Sequence, residues 1–244
     1  WPWGISVDDL NADGFQDVFL ASSMNYPFKY GVNSVLLNNK GEAFLDSEFI
    51  VGIEPRKNGE FDKEWFVLEC AGEDLGHRLC EGKTGTISVR GTLGTRSSAI
   101  FDIDNDGDLD IVSASSNDDA IAWYENNGAA DPSWTAADIA TSADGATGVT
   151  VGDMDGDGDL DIVSASANDD AIAWYENDGA ADPSWTAADI ATSADGALSV
   201  FVADMDNDGD MDIVSASYND DAIAWYENNG AADPSWTAAD IATS

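Results

Sequence analysis

The stretch Asp153-Met154-Asp155-Gly156-Asp157-Gly158-Asp159-Leu160-Asp161 decides how this chain folds. Carboxylate side chains occupy positions 1, 3, 5 and 9 of this loop, and glycine occupies position 6. The pattern is typical of a loop that wraps a hard cation such as Ca²⁺, which takes about six to eight oxygen ligands at about 2.3–2.6 Å. Glycine at position 6 allows a sharp turn, after which position 7 can offer its backbone carbonyl.

The same loop recurs at three other places in the chain. Close copies run from Asp102 to Asp110 and from Asp204 to Asp212, and a looser copy runs from Asp9 to Asp17. The candidate Ca²⁺ ligands are Asp9, Asn11, Asp13, Asp17, Asp102, Asp104, Asp106, Asp108, Asp110, Asp153, Asp155, Asp157, Asp159, Asp161, Asp204, Asp206, Asp208, Asp210 and Asp212. Recurrence of the same ligand positions favours four metal sites over the alternative of acidic, solvated turns.

These loops differ from the EF-hand, which closes with a bidentate Glu at position 12. Here position 12 is Ser113, Ser164 or Ser215, and it is Leu20 in the first copy. The Asp at position 9 must therefore supply the closing carboxylate. The residues that follow, 111–115, are short, β-branched and small, so the sequence predicts a strand there rather than a helix.

The second half of the chain is an internal repeat with a period of 51 residues, and 43 of 51 positions agree between 102–152 and 153–203. A period of this length built from short strands indicates propeller blades. In one unit the predicted strands are 148–153, 160–166, 171–176 and 185–192. The last of these is rich in alanine, so a short helix is the competing interpretation there. The predicted blades are 98–147, 148–198 and 199–244.

The first hundred residues are less regular. Strands at 4–10, 16–22 and 33–38 predict a blade over 1–50. Residues 51–97 form either an insertion or a degenerate blade without a metal loop, and the insertion is favoured. Two strands are predicted within that region, at 64–69 and 86–89. Cys70 and Cys80 flank an acidic loop between them, and we expect a disulfide there rather than two free thiols.

The unit of strand, D-x-D-x-D-G-D-x-D loop, Leu160-Asp161-Ile162-Val163-Ser164-Ala165-Ser166 and Ala173-Trp174-Tyr175-Glu176-Asn177-Asp178-Gly179 resembles the FG-GAP/VCBS repeat of integrin-α-like β-propellers. The resemblance is strong over 98–244, good over 3–40 and weak over 50–97. It implies an all-β fold of four-stranded blades whose loops between strands one and two bind Ca²⁺. It also implies that position 7, such as Asp108, binds through its backbone. The first site departs at Asn11 and Phe15 and is expected to be weaker.

Complete propellers of that family usually have about seven blades, within the range of propellers generally. This chain provides four, or five at most, so we expect a partial propeller. It lacks an initiator Met, which favours a mature form or a fragment, and truncation is the preferred explanation for the missing blades. The alternatives are an open arc and closure by association. Exposed blade faces would make self-association possible.

The formal net charge of −39 argues against nucleic acid and anionic membranes as partners. No run of 18 apolar residues predicts a membrane span, and the expected location is extracellular, either secreted or on the cell surface. Arg96 is a rare cation, and we expect it to pair with an acidic neighbour. The single histidine, His77, has no nucleophile motif around it, and no catalytic residue or organic cofactor is predicted.

The recurring aromatic pairs Trp123-Tyr124, Trp174-Tyr175 and Trp225-Tyr226 are either sugar-stacking platforms or packing between blades, and packing is favoured. Trp134, Trp185 and Trp236 follow a turn and are expected to be more exposed. The sequence therefore favours a non-enzymatic, Ca²⁺-stabilised module for adhesion or for binding a protein or glycan. The alternative is a propeller scaffold or carbohydrate-binding accessory domain of a polysaccharide-active enzyme.

Overall fold

The computed structural model describes residues 2–22, 31–54, 63–129 and 132–243. Residues 23–30 of the predicted first blade, 55–62 of the predicted insertion and the pair 130–131 lie outside this description, as do the two terminal residues. Within the described residues the chain is all-β, with four four-stranded sheets and one two-stranded sheet. The all-β prediction is confirmed.

Each four-stranded sheet is an antiparallel meander in chain order. The first sheet contains β1 (Pro2–Asp8), β2 (Asp17–Ser22), β3 (Ser34–Asn39) and β4 (Ala43–Asp46). A short helix α1 (Glu48–Val51) and a hairpin of β5 (Lys63–Glu69) and β6 (Thr86–Gly91) follow. The second sheet contains β7 (Thr95–Phe101), β8 (Asp110–Ser115), β9 (Ala120–Asn126) and β10 (Trp134–Ala140). The third contains β11 (Ala146–Gly152), β12 (Asp161–Ser166), β13 (Ala171–Asn177) and β14 (Trp185–Ala191). The fourth contains β15 (Ala197–Ala203), β16 (Asp212–Ser217), β17 (Ala222–Asn228) and β18 (Trp236–Thr243).

The alanine-rich segment that could have been a helix is the strand β14, paired along its length with β13. The first strands of the repeated sheets begin at Thr95, Ala146 and Ala197, two or three residues before the predicted blade boundaries at 98, 148 and 199. A glycine with positive φ precedes each of these residues, so the turn is complete and extended backbone begins at once.

The sheets stand side by side in an arc with their first strands innermost. Strand β1 contacts β7, β7 contacts β11, and β11 contacts β15. The first sheet therefore lies directly against the second, although residues 51–97 separate them in sequence. Among the described strands, β15 makes no substantial contact with β1, so closure of a ring is not seen in this part of the chain.

The hairpin β5–β6 has a small core of its own, formed by Leu68, Cys70, Cys80 and Val89. Cys70 and Cys80 form a disulfide across its connecting loop, which confirms the predicted pairing. A 3₁₀ turn, Arg78–Cys80, brings the second cysteine into place. The described residues of 51–97 thus contain the two-stranded unit β5–β6 and the start of β7, and they add no further four-stranded sheet.

The main core lies between neighbouring sheets, and the recurring aromatic pairs fill it. Trp123 packs with the third sheet, whereas its neighbour Tyr124 packs with the first. Trp174 and Tyr175 divide in the same way between the two faces of the third sheet. Adjacent residues of a strand point to opposite faces, so one pair serves two interfaces. The packing interpretation is confirmed for these two pairs and for Tyr226, whereas Trp225 belongs to none of the clusters between the described sheets.

The tryptophans after the turn are less exposed than expected. Trp134 is only 4% exposed, because it packs into the cluster between the first and second sheets. Trp185 is partly buried, and its ring lies edge-on to that of Trp123, with the centroids 6.5 Å apart. Trp236 packs against the cluster between the third and fourth sheets. These rings lie in the interfaces between sheets because burial of their large apolar area stabilises the fold. Within the described residues, no helix is long and apolar enough to cross a membrane.

Candidate metal centre

The acidic loops join the first two strands of each four-stranded sheet, at the end where the inner strand stops. Position 6 is a glycine with φ between 89° and 103° in all four loops. Position 4 is also left-handed in each loop, and is Ala12, Asn105, Gly156 or Asn207. Glycine and asparagine adopt this conformation at little cost, so the sequence of the loop suits the turn it makes.

Side-chain oxygens inside each loop accept hydrogen bonds from the loop backbone. In the third sheet, Asp153 Oδ2 accepts from the Gly158 amide at 3.1 Å, and Asp155 Oδ1 accepts from the Asp157 amide at 3.1 Å. Asp157 Oδ1 in turn accepts from the Asp159 amide at 2.9 Å. Equivalent bonds occur in the other three loops. These bonds fix the direction of the first, third and fifth side chains.

Three carboxylates converge in each of the three close copies. Their ligand atoms lie within 4.8 Å of one another in the sets Asp102, Asp104 and Asp106; Asp153, Asp155 and Asp157; and Asp204, Asp206 and Asp208. Partial burial, together with the charge of the neighbouring carboxylates, raises the pKa of Asp104 and of Asp155 above the ordinary value. The fold thus holds like charges close together.

The Asp102 carboxylate adds an observation about what this loop could bind. Its Oδ1 atom is buried and has no hydrogen-bond donor among the described residues. A buried carboxylate oxygen without a partner is costly unless a cation or a donor reaches it. The donors at this site are all oxygens, the type that hard cations prefer. The residues present therefore fit a Ca²⁺-like ion, held by positions 1, 3 and 5 of the loop.

The first loop has the same backbone geometry but one carboxylate fewer. Asp9 accepts from the Asp13 and Gly14 amides, at 3.0 and 2.7 Å, and Asn11 Oδ1 accepts from the Asp13 amide at 3.3 Å. The amide oxygen of Asn11 stands where the other loops have a carboxylate. The expectation of a weaker first site stays a prediction.

Position 7 uses its side chain for packing rather than for joining the carboxylate cluster. The carboxylates of Asp108, Asp159 and Asp210 lie against a glycine in the turn after the third strand of the same sheet. A Cβ atom at Gly128, Gly179 or Gly230 would collide with them. Asp159 Oδ1 also accepts from the Asn105 side chain at 3.1 Å. A role for these residues as ligands through the backbone carbonyl is compatible with this packing and stays a prediction.

Position 9 is buried and ties the loop to the sheet. Asp161 is 1% exposed; its Oδ2 accepts from the Met154 amide at 3.0 Å and its Oδ1 from the Asn177 amide at 2.8 Å. Asp17, Asp110 and Asp212 make the equivalent pairs of bonds. Burial raises the pKa of Asp110 to about 7 and that of Asp161 to about 6. Each carboxylate oxygen has a second lone pair that could bind a cation. The predicted role of position 9 as the last ligand of the loop therefore stays a prediction.

The sequence interpretation missed an asparagine that joins neighbouring sheets. Asn177 is 2% exposed, and its Nδ2 donates to the backbone oxygens of Ile103 in the preceding metal loop and of Leu160 in its own, at 3.2 and 3.1 Å. Asn126 and Asn228 do the same in their sheets. The signal was an asparagine that recurs 16 residues after the position-9 aspartate in each of the three close repeats.

Arg96 does not make the acidic pair that its sequence context suggested. Its Nε donates to Ser116 Oγ at 2.9 Å, and its guanidinium carbon lies 4.2 Å from the centre of the Trp3 ring. Among the described residues no carboxylate lies within ion-pair distance of it. Burial lowers the pKa of Arg96 below its usual range. Stacking on an aromatic face replaces the ion pair here.

Comparison with known proteins identifies the repeat. The FG-GAP-like repeat family matches residues 102–164, 153–215 and 204–244, which together span more than half of the chain. The chain therefore belongs to the FG-GAP-like repeat family. A comparison with curated proteins found no match.

Among solved structures, that of rhamnogalacturonan lyase YesW is similar over 94% of this chain, with 12% sequence identity and a TM-score of 0.47. The chain spans 38% of that protein's length.

Proposed function

We propose that this chain is part of a Ca²⁺-stabilised β-propeller that works outside the cell as a non-catalytic adhesion or ligand-binding module. The observation that carries the proposal is the convergence of three carboxylates in each of three successive loops, together with the buried, unpartnered oxygen of Asp102. Each loop lies where two strands of a sheet join. A cation there would fix the turn and relieve the repulsion between the carboxylates.

The expected affinity is that of a structural site in calcium-rich surroundings. Extracellular modules bind Ca²⁺ with dissociation constants of about 10⁻⁴–10⁻³ M. In about 1 mM Ca²⁺, each such site adds roughly 0.4–1.4 kcal/mol, and four sites add a few kcal/mol. Domains are stable by only about 5–15 kcal/mol in total, so the metal would supply a substantial share.

The extracellular assignment is supported by the disulfide between Cys70 and Cys80, because disulfides persist in oxidising compartments. Weak Ca²⁺ sites of this kind also suit millimolar rather than cytosolic calcium. The net charge of −39 supports a partner that is neither nucleic acid nor an anionic membrane.

A non-catalytic role is supported by how the repeated acidic residues are used. Those at positions 1, 3, 5 and 9 accept backbone hydrogen bonds that shape the turn, so each has a structural task in every repeat. A site repeated in several sheets is also a poor place for a unique active centre. The alternative, an accessory domain of a polysaccharide-active enzyme, is favoured only by the presence of a ligand-sized pocket at the inner strands.

The proposal is tested by calorimetric titration of Ca²⁺ into protein freed of metal with EDTA. We expect binding at the loops, and the double change Asp153→Asn with Asp155→Asn should remove one site while the others remain. The matched control is Asp189→Asn, an exposed aspartate on β14 of the same sheet, which should leave the stoichiometry unchanged. Unchanged stoichiometry in the loop variant, or no Ca²⁺ binding at all, would refute the metal assignment.

A further inference from the structure

The four inner strands share an irregularity at the same register. Pairing with the second strand skips one residue between Pro2 and Gly4, Thr95 and Ser97, Ala146 and Gly148, and Ala197 and Ser199. The skipped residues are Trp3, Arg96, Thr147 and Leu198. A β-bulge redirects a side chain, and bulges are common beside binding sites.

All four bulge residues line one pocket of about 590 Å³. Ser116, Asn117 and Asn168, from the turns between second and third strands, also line it. This volume lies within the roughly 300–1,000 Å³ of small-ligand sites. The metal loops follow the other end of the inner strands, about six residues or ~20 Å away at ~3.3 Å per residue. The pocket is therefore separate from the metal sites.

The repeats are nearly identical in sequence, yet they differ at the pocket. The bulge position is Trp, Arg, Thr and Leu in successive sheets, and the lining residue that follows the second strand is Ser116 in one sheet and Ala167 in the next. By contrast, the segments 111–115, 162–166 and 213–217 are the same five residues. The four bulge positions therefore give one cavity four different side chains, as the binding of an asymmetric ligand requires.

Arg96 gives the pocket its charge preference. Apart from the bond from Nε to Ser116 Oγ, its guanidinium N–H groups have no acceptor among the described residues. Trp3 covers one face of the guanidinium and restricts its motion, which leaves the edge of the fork for a ligand. A planar carboxylate matches that edge with two parallel hydrogen bonds. In a chain of net charge −39, one guanidinium suits a single negative charge better than a dianion.

The rest of the lining indicates a ring with polar substituents. Trp3 is 53% exposed and Leu198 is 46% exposed, so both offer apolar surface to a ligand. Ser116, Asn117 and Asn168 add hydroxyl and amide groups around them. A hexuronic acid combines a carboxylate, an apolar ring face and hydroxyl groups. We propose that this pocket binds a hexuronic acid residue through Arg96 and Trp3, an inference that rests on the ligand-binding function proposed above and specifies its site.

The test is saturation-transfer NMR and calorimetry on the Ca²⁺-loaded protein with glucuronic, galacturonic and mannuronic acids, each paired with its neutral hexose. We expect at least one acid to bind and its neutral hexose to bind about ten- to a hundredfold more weakly, because a charged hydrogen-bonded pair is lost. Binding of none of the acids, or equal binding of acid and neutral sugar, overturns the proposal.

The repeats offer a matched variant for the same test. Arg96→Thr places at this bulge the residue that the next sheet carries there as Thr147, so the fold should tolerate it. It should weaken acid binding about ten- to a hundredfold while Ca²⁺ stoichiometry stays that of the wild type. Unchanged acid affinity in this variant overturns the assignment.

Two further measurements distinguish a failure of the sugar assignment from a failure of the metal proposal. N-acetyl-aspartate amide carries a carboxylate without a sugar ring, and if it binds as tightly as the uronic acids, the assignment to sugars is wrong. Ca²⁺ binding measured on the same sample reports the metal sites independently. Normal Ca²⁺ binding without uronic acid binding therefore refutes only this inference, whereas loss of Ca²⁺ binding refutes the metal proposal.

Discussion

Position 4 of the metal loop illustrates how one backbone angle constrains a residue. Ala12 holds φ at 53°, whereas the same position is Asn105, Gly156 or Asn207 elsewhere. A Cβ-bearing residue without a local hydrogen bond pays roughly 1–2 kcal/mol in the left-handed region. The first loop therefore carries strain that the other three avoid.

We predict that Ala12→Asn stabilises the protein by about 0.5–1 kcal/mol, since asparagine tolerates this conformation better. Thermal or chemical unfolding measures the effect. The reciprocal change, Asn207→Ala, should cost a similar amount. If the two substitutions shift stability in the same direction, the explanation from backbone conformation fails.

Two of the buried position-9 aspartates, Asp110 and Asp161, make metal-free stability depend on pH. Burial raises the folded pKa of Asp110 to about 7 and that of Asp161 to about 6, above the ordinary value of 3.8. The folded state therefore holds more protons than the unfolded state between about pH 4 and pH 7. The protonated forms of Asp110 and Asp161 therefore stabilise the folded state fully below about pH 4. This stabilisation is lost as the pH rises through their folded pKa values, about 7 and about 6.

In EDTA, we accordingly predict a higher melting temperature at pH 5 than at pH 7.5. In Ca²⁺ the difference should shrink or reverse, because a cation favours ionised carboxylates and protons compete with it. Scanning calorimetry at both values of pH, with and without Ca²⁺, gives the comparison. A melting temperature that rises with pH in EDTA would contradict the assigned shifts.

At the scale of the element, the joint between neighbouring sheets depends on one asparagine per repeat. Asn177 satisfies two buried backbone oxygens, one in each of two successive loops. We predict that Asn177→Ala destabilises the protein by about 1–3 kcal/mol, because both acceptors lose their donor. Urea unfolding measures the loss.

The control is Asp178→Asn, at the neighbouring turn position. The other repeats already have asparagine there, at Asn127 and Asn229, and its side chain makes turn bonds of the same kind. It should stay within about 0.5 kcal/mol of the wild type. Equal effects of the two substitutions would mean that Asn177 acts only through its turn.

Much of the element-scale structure could be predicted from the sequence because the signals are local. Alternating β-branched residues define the inner strands, and glycine with acidic residues defines the loops. The bond from Asn177 to Ile103 spans 74 residues, so no local pattern reveals it. Likewise, Arg96 stacks on Trp3 of the neighbouring sheet, whereas the acidic composition of the chain suggested a carboxylate partner. The partners of Asn177 and Arg96 are set by contacts between sheets, which the local sequence does not show.

At the scale of the whole molecule, the fourth sheet presents a face that the second and third sheets bury. Ile223 is 38% exposed, whereas its counterparts Ile121 and Ile172 are fully buried. Met205 is 48% exposed, against 2% for Met154. Equivalent apolar side chains are thus buried between sheets in the second and third sheets but exposed on the fourth. This exposed apolar face is suited to association.

We therefore expect this chain to self-associate at high concentration through the face that contains Ile223. Ile223→Lys should reduce the association seen by sedimentation velocity, because it places a charge in the apolar contact. Leu75→Lys is the control, since Leu75 is 70% exposed on the loop of the hairpin. Equal effects of both variants would indicate a general effect of charge instead.

The central claim is that Ca²⁺ in the acidic loops stabilises the fold, and thermal unfolding of EDTA-treated protein during Ca²⁺ titration tests it most directly. A gain of a few kcal/mol corresponds to a rise in melting temperature of roughly 5–20 °C in a chain of this size. We predict such a rise with Ca²⁺ and a much smaller one with Mg²⁺ at the same concentration. No rise with Ca²⁺, or an equal rise with both ions, would contradict the account.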